Sequence, residues 1–173
     1  MTRQLFLLRH AKSSWDDPSV PDHERPLSKR GRKAAAAMRR MMLSKGLVPD
    51  LVISSDARRT LETLKALEPW DEPPVIDTSE KLYLASAAQM LEVLRKVVPT
   101  IRSVLLIGHN PGLQELAVLL VGNHPKAARG KHERRLAESY PTGAFAEFAL
   151  TTPWSGIAEG SGQLTRFVSP RDL

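Results

Sequence analysis

Two histidines and several arginines follow directly on short apolar runs. Leu5–Leu8 leads into Arg9-His10-Ala11-Lys12-Ser13, Leu51–Ile53 into Ser54-Ser55-Asp56-Ala57-Arg58-Arg59, and Val104–Ile107 into Gly108-His109-Asn110-Pro111-Gly112. Arginine forks match the several charged oxygens of a phosphoryl group. A neutral imidazole nitrogen can attack phosphorus and split one difficult displacement into two easier ones, while nearby cations stabilise charge on the equatorial oxygens. His10, flanked by Arg9, suits the nucleophile. His109, protonated or donating a hydrogen bond, suits a stabiliser. Arg58 and Arg59 would stand in the first turn of a helix, where the dipole disfavours cations by roughly 0.3–1 kcal/mol each. Asp56 offsets part of that cost, and a bound anion would remove the rest.

Convergence of these residues depends on the elements that carry them. Apolar runs without polar alternation fit parallel strands covered on both faces, and ligands of open α/β sheets bind beyond the carboxyl ends of the strands. Val75-Ile76, flanked by Pro73, Pro74 and Asp77, is a weaker strand. Helical patterns lie between the strands. Ser28 caps one that runs through Ala34–Ala37 and Met38–Leu43 and ends at Gly46 and Pro49. Asp56 caps a second, with Ala57, Leu61, Leu64 and Leu67 as its apolar face; a third carries Ala87, Met90, Leu91, Leu94 and Val98 up to Pro99. The fourth has Asn110 as cap and Pro111 in the first helical position, and buries Leu113, Leu116, Ala117 and Leu120. Ala144–Leu150 and Leu164–Val168 read as two further strands. The expected fold is a three-layer α/β sandwich, with a mostly parallel central sheet, helices on both faces and an antiparallel edge strand.

Composition narrows the classes. The chain has 173 residues, 42% of them hydrophobic and 25% charged, which is enough for a single domain over 1–173 with a substantial core. Cysteine is absent, so disulfides, thiol nucleophiles and thiolate metal sites are excluded, in keeping with a reducing compartment. No run approaches the roughly 18 apolar residues of a membrane span, and Leu5–Leu8 is too short for a signal peptide; a cytoplasmic protein with no membrane partner is expected. A formal charge of +6 favours anionic partners, but only 5% of residues are aromatic and no basic stripe interleaves with stacking residues, so nucleic acid ranks last. His23, His124 and His132 lie in polar segments and are expected in solvent. No histidine pair has metal-ligand spacing, so neither a metal nor another cofactor is expected.

At these residues the chain resembles the histidine phosphatase superfamily, whose members include the cofactor-dependent phosphoglycerate mutases. Leu7-Leu8-Arg9-His10-Ala11-Lys12-Ser13 looks like its Arg-His motif. Ser54-Ser55 with Arg59-Thr60-Leu61-Glu62-Thr63 looks like its second motif, with Thr60 and Glu62 as departures, and Gly108-His109-Asn110 looks like its second histidine motif. The resemblance selects Arg59 over Arg58 and implies a phosphorylated His10 in a pocket of Arg9, Arg59 and His109. Asp22-His23-Glu24-Arg25-Pro26-Leu27-Ser28, Gly31, Gly108–Gly112 and Pro141-Thr142-Gly143-Ala144 look like the compact SixA-type phosphohistidine phosphatases. Glu80, in Glu80-Lys81-Leu82-Tyr83, stands where mutase-like members carry the glutamate that protonates the leaving oxygen. Ser13, Arg25 and Asn110 are further candidates for phosphate or substrate.

Plainer roles compete. Arg25 could hold its loop, Trp15 could pack rather than line the site, and Arg59 could pair with Glu62 or Asp56. Lys126, Arg129, Lys131, His132, Arg134 and Arg135 read as a solvated helix face or a docking surface for an acidic protein. The expected activity is a monomeric, metal-independent phosphatase acting on phosphohistidine in a signalling protein. The alternatives are a small-molecule phosphomonoesterase and a non-catalytic phosphate-binding module.

Overall fold

The computed structural model describes residues 1–123 and 129–173. Six strands form one sheet: β1 (Arg3–Arg9), β2 (Leu51–Ser55), β3 (Val75–Ser79), β4 (Ser103–Gly108), β5 (Phe145–Leu150) and β6 (Gly162–Val168), in the order β3-β2-β4-β1-β5-β6. The pairs β1–β4, β2–β4 and β2–β3 are parallel, whereas β1–β5 and β5–β6 are antiparallel. The antiparallel part is therefore two strands wide rather than a single edge strand. β6 begins at Gly162, ahead of the apolar Leu164, because its first residues pair with Leu150 and Ala149 of β5.

Side-chain alternation assigns the two faces. Phe6, Leu8, Val52, Leu105 and Ile107 point to one side, under α1 (Lys29–Ser44) and α2 (Arg58–Ala66), where Met38, Met42, Leu64 and Leu67 meet them. Leu5, Leu7, Val104 and Leu106 point to the other, under α3 (Ala87–Arg95), α4 (Gly112–Val121) and α5 (Lys131–Glu138). The result is the three-layer sandwich, with β1, β2 and β4 buried on both faces as their unbroken apolar runs require.

Ser28 caps α1, its hydroxyl accepting from the Gly31 amide at 3.0 Å. Other expected boundaries move. Ala57, not Asp56, is the N-cap of α2, because the Asp56 carboxylate is engaged by His23 Nε2 at 2.9 Å. The buried face of α2 is Arg59, Thr60, Thr63 and Leu64, so Leu61 is left partly exposed; this helix turns polar residues inward because it faces the crevice. The third helix ends at Arg95, short of Pro99, since the residue before a proline avoids the helical region and exposed Val98 has no packing to hold it there. Pro111 is the N-cap of α4 rather than its first residue, while Asn110 Oδ1 accepts from the Gln114 amide at 3.2 Å. β3 runs on past Val75-Ile76 to Ser79 as an exposed edge strand. His124 and Lys126 lie outside the described residues.

Candidate active site

The register of the sheet brings the two histidines together. Arg9 pairs with Gly108 across β1 and β4, so His10 and His109 leave the sheet side by side, with ring centroids 5.3 Å apart. Both rings are buried. A crevice of about 320 Å³ opens over them, lined by Arg9, His10, Lys12, Ser13, Trp15, Asp22, Arg59, Leu84, His109, Asn110 and Thr142. A larger cavity, about 710 Å³, lies at the opposite end of the sheet between Thr2, Asp50 and Arg102, and no histidine of the described residues lines it.

Hydrogen bonds fix the proton on each imidazole. His10 Nδ1 lies 2.7 Å from the Ala11 carbonyl oxygen. A carbonyl can only accept, so Nδ1 carries the proton and Nε2 keeps its lone pair. Burial, with a smaller contribution from the Arg59 and Arg9 charges, lowers the His10 pKa to about 4, against the Ala11 carbonyl, which raises it. His109 has the opposite tautomer. Arg59 Nη2 donates to its Nδ1 at 3.3 Å, so its Nε2–H donates to Ser55 Oγ at 2.8 Å. Burial, then the His10 and Arg59 charges, lower its pKa to about 3. The first imidazole is thus a neutral lone-pair donor. The second is also neutral in the empty crevice and must take up a proton before Nδ1 can donate to an anion.

Arg59 stands on the buried side of the first turn of α2. Its Nη1 donates to the Asp22 carbonyl at 2.7 Å and its Nη2 to Asp22 Oδ2 at 3.1 Å. Arg58 faces outward and pairs with Glu62 at 2.9 Å, so the two adjacent arginines have different environments. Thr63 ties the helix to the loop after β1: its hydroxyl accepts from the Ala11 amide at 3.0 Å and donates to the Arg59 carbonyl at 2.7 Å. The two motif departures also have structural partners. Thr60, fully buried, donates to the Ser55 and Ala57 carbonyls, and Glu62 accepts from the Leu27 amide. Arg9 donates through Nη1 to the Tyr140 carbonyl at 2.9 Å and leaves a buried Nε without a partner.

The other expected site residues are distributed unevenly. Ser13 and Asn110 line the crevice, the latter also donating to the Tyr140 carbonyl at 3.0 Å. Arg25 does not. Its guanidinium stacks 3.7 Å from the ring centre of Trp15, holding that exposed indole at the mouth of the crevice. Glu80 is exposed, in a short 3-10 turn, and is not among the lining residues. Three residues later in the chain, the Tyr83 ring stands edge-on to His109 at 5.4 Å, and its hydroxyl donates to Asp22 Oδ2. His23 is not simply solvated. It is half-buried, edge-on to Tyr83 at 4.9 Å and held between Glu24 and Asp56, whose hydrogen bonds raise its pKa. His132 is exposed as expected.

Asp22 and Tyr83 are the residues sequence reasoning passed over, because neither carries a spacing signal for phosphate. A carboxylate seldom belongs in an anion pocket, and the two are far apart in the chain. Hydrogen bonds from Tyr83 and the charge of Arg59 keep the Asp22 pKa below the usual carboxylate range. Among the described residues no three histidine, aspartate or glutamate side chains gather as a metal set.

The sheet, the helices on its two faces and this crevice belong to a known family. The family model described as histidine phosphatase superfamily (branch 1) matches residues 5–82. An uncharacterized chloroplastic protein of Arabidopsis thaliana is 39% identical over 170 residues, covering 92% of this chain and 77% of that one. An uncharacterized protein of Mycobacterium tuberculosis is 30% identical over 164 residues, covering 95% of this chain and all of the other. Among solved structures, a protein of Nakamurella multipartitia, provisionally named phosphohistidine phosphatase SixA, superposes with a TM-score of 0.84 at 27% identity, over 98% of this chain and 97% of its own. The protein histidine phosphatase SixA complexed with tungstate shares the fold, with a TM-score of 0.77 at 22% identity over 98% of each chain. The chain belongs to the histidine phosphatase superfamily. No helix among the described residues is long and apolar enough to cross a membrane.

Proposed function

We propose that this protein is a metal-independent phosphatase working through a phosphohistidine intermediate on His10, and that its substrate is a phosphorylated histidine of a signalling protein. The observation that carries the reading is the His10 tautomer: Nδ1–H is tied to the Ala11 carbonyl, so Nε2 presents a lone pair beside Arg59 and His109. In the first step Nε2 bonds to phosphorus and the bond from phosphorus to the leaving nitrogen breaks; the substrate's phosphoimidazole, already protonated on its other ring nitrogen, departs as neutral imidazole. In the second, water attacks phosphorus, the bond to His10 breaks and inorganic phosphate leaves. Arg9, Arg59 and a protonated His109 stabilise the equatorial oxygens throughout.

Among the described residues no acid is placed to protonate an alkoxide leaving group, which favours phosphohistidine over phosphoesters. An alkoxide leaving group needs a proton donor in the transition state. The carboxyl among the lining residues is Asp22, which its partners keep ionised, and Glu80 stands outside. A departing imidazole is a far weaker base than an alkoxide and needs less help. The SixA neighbours, one of them holding the tetrahedral oxyanion tungstate, support the same substrate class.

The test compares a phosphorylated histidine-containing transfer domain with p-nitrophenyl phosphate and a panel of sugar phosphates. Faster turnover of the protein substrate is expected, with an acid-labile, base-stable adduct trapped on quenching and lost in His10→Ala. Efficient turnover of one small phosphoester alone would replace the substrate assignment. No adduct and no turnover across the panel would leave a phosphate-binding module.

A further inference from the structure

Beside the crevice lies a smaller cavity of about 130 Å³, lined by Lys12, Arg30, Ala34, Pro141, Thr142, Pro170 and Arg171. Lys12 and Thr142 belong to both cavities, so the two are contiguous. The cations come from three separate places: the loop after β1, the first turn of α1 and the C-terminal turn Pro170–Asp172. No carboxylate residue is among the lining residues. Lys12, Arg30 and Arg171 are exposed, and among the described residues none of their side chains makes an ion pair or hydrogen bond. Asp172, the acid next in the chain to Arg171, is already taken by Arg135 at 2.7 Å and by the Ser169 amide at 2.8 Å.

The backbone beneath these side chains is fixed to the catalytic loop. The Lys12 carbonyl accepts from the Ser28 amide at 2.9 Å and the Ser28 hydroxyl at 3.1 Å. A Cβ on Gly31 would stand 2.1 Å from that same oxygen, so α1 abuts the loop with no spare room. On the other side, the Gly143 amide bonds the Arg9 and His10 carbonyls at 3.1 and 2.9 Å, holding Thr142 in place. Three cations free at their tips thus hang from a rigid frame around one cavity. Among the described residues no acid lines the cavity or pairs with them to offset their mutual repulsion.

We propose that this cavity is a subsite for acidic side chains flanking the phosphorylated residue of a protein substrate. The inference rests on the phosphatase reading of the crevice and specifies its substrate. Long, exposed lysine and arginine side chains around an open cavity suit carboxylates on a protein surface, which arrive in variable positions. The contiguity with the crevice requires those carboxylates to lie close to the phosphorylated residue.

The test uses two phosphohistidine peptides that differ only in flanking Glu or Gln. For the full-length wild type, kcat/KM should favour the Glu peptide about fivefold, the upper end for one exposed ion pair, and 0.5 M salt should reduce the ratio. Arg30→Ala with Arg171→Ala should bring the ratio close to one, and Arg30→Glu, which leaves the same net charge around the cavity, should reduce it comparably; thermal melts check that each variant folds. Equal turnover of both peptides by the wild type would overturn the subsite while leaving the phosphatase reading intact. Turnover of neither peptide would overturn both. A preference for small bisphosphates over monophosphates, without a peptide preference, would replace the protein partner with a small molecule.

Discussion

Acidification should separate this crevice from ordinary histidine chemistry. An unperturbed imidazole, with a pKa near 6.5, is about 90% protonated at pH 5.5. With pKa values of about 4 for His10 and about 3 for His109, both rings stay almost wholly neutral there, and the His10 lone pair remains available. Each ring binds a proton more readily unfolded than folded, so stability is lost as pH falls from about 6.5 towards 4. For His10 alone the loss is about 3 kcal/mol at 1.36 kcal/mol per pH unit. His23 works in the opposite direction, because its raised folded pKa adds stability at low pH that is lost as pH rises. A His23→Gln background therefore isolates the buried pair. Imidazole proton shifts followed by NMR, with urea unfolding at each pH, measure both effects. His10 and His109 should not titrate above pH 5. Adding tungstate should raise the His109 pKa, because a dianion beside the ring favours its protonated form and turns Nδ1 into a donor. Normal titration of His10 near 6.5 in the empty protein would refute the neutral-nucleophile argument.

Arg59→Ala should lower kcat/KM by about 100-fold or more, as expected for losing a donor aimed at developing charge. Arg58→Ala, which breaks an exposed pair with Glu62, should leave turnover within about twofold and cost about 0.3–0.5 kcal/mol in urea unfolding; greater damage to kcat/KM at Arg58 would mean the second motif is misread by one residue. Glu80→Gln should change phosphohistidine and phosphoester hydrolysis alike and little, and selective slowing of the ester would restore Glu80 as the acid. Asp22→Asn should tighten tungstate binding several-fold in calorimetry by removing a negative charge from the crevice, and weaker binding would show that Asp22 mainly positions Arg59. Gly31→Ala should destabilise by about 1–3 kcal/mol in thermal or urea melts and reduce activity, since its Cβ would meet the Lys12 carbonyl.

What could be read from sequence was whatever local pattern controls. Unbroken apolar runs located β1, β2 and β4, because strands buried on both faces have no polar alternation, and the residues after them located His10, Arg59 and His109. The Ser28 cap was legible for the same reason: a cap is chosen by the residues beside it. Asp56 failed as a cap because a distant residue, His23, claims its carboxylate. Asp22 and Tyr83 were illegible as a pair because their hydrogen bond spans 61 positions of chain. Glu80 was placed by motif spacing alone, and the short turn that follows β3 carries Tyr83 rather than Glu80 to the crevice.

Strand order explains why the site needs all three motifs. The chain passes from β1 to β2 and β3, and then returns to insert β4 between β2 and β1. With β4 between them, the loops after β1 and β2 stand two strand steps apart, roughly 10 Å at 4.8 Å per step, a gap that the long Arg59 side chain must bridge to share one phosphoryl group with His10. Insertion of β4 places His109 in that gap, one step from His10 by ring separation and within hydrogen-bond reach of both Ser55 and Arg59. The second histidine is therefore a spacer as well as a charge. A smaller residue there would take one hydrogen-bond partner from Arg59 Nη2 and one from Ser55 Oγ, so His109→Ala should disturb the Arg59 orientation along with the loss of a donor. His109→Gln, whose amide can still bond either neighbour, should retain more phosphate affinity than His109→Ala while restoring little turnover. Equal phosphate affinity in the two variants, measured by calorimetry, would show that the ring does nothing to hold the guanidinium.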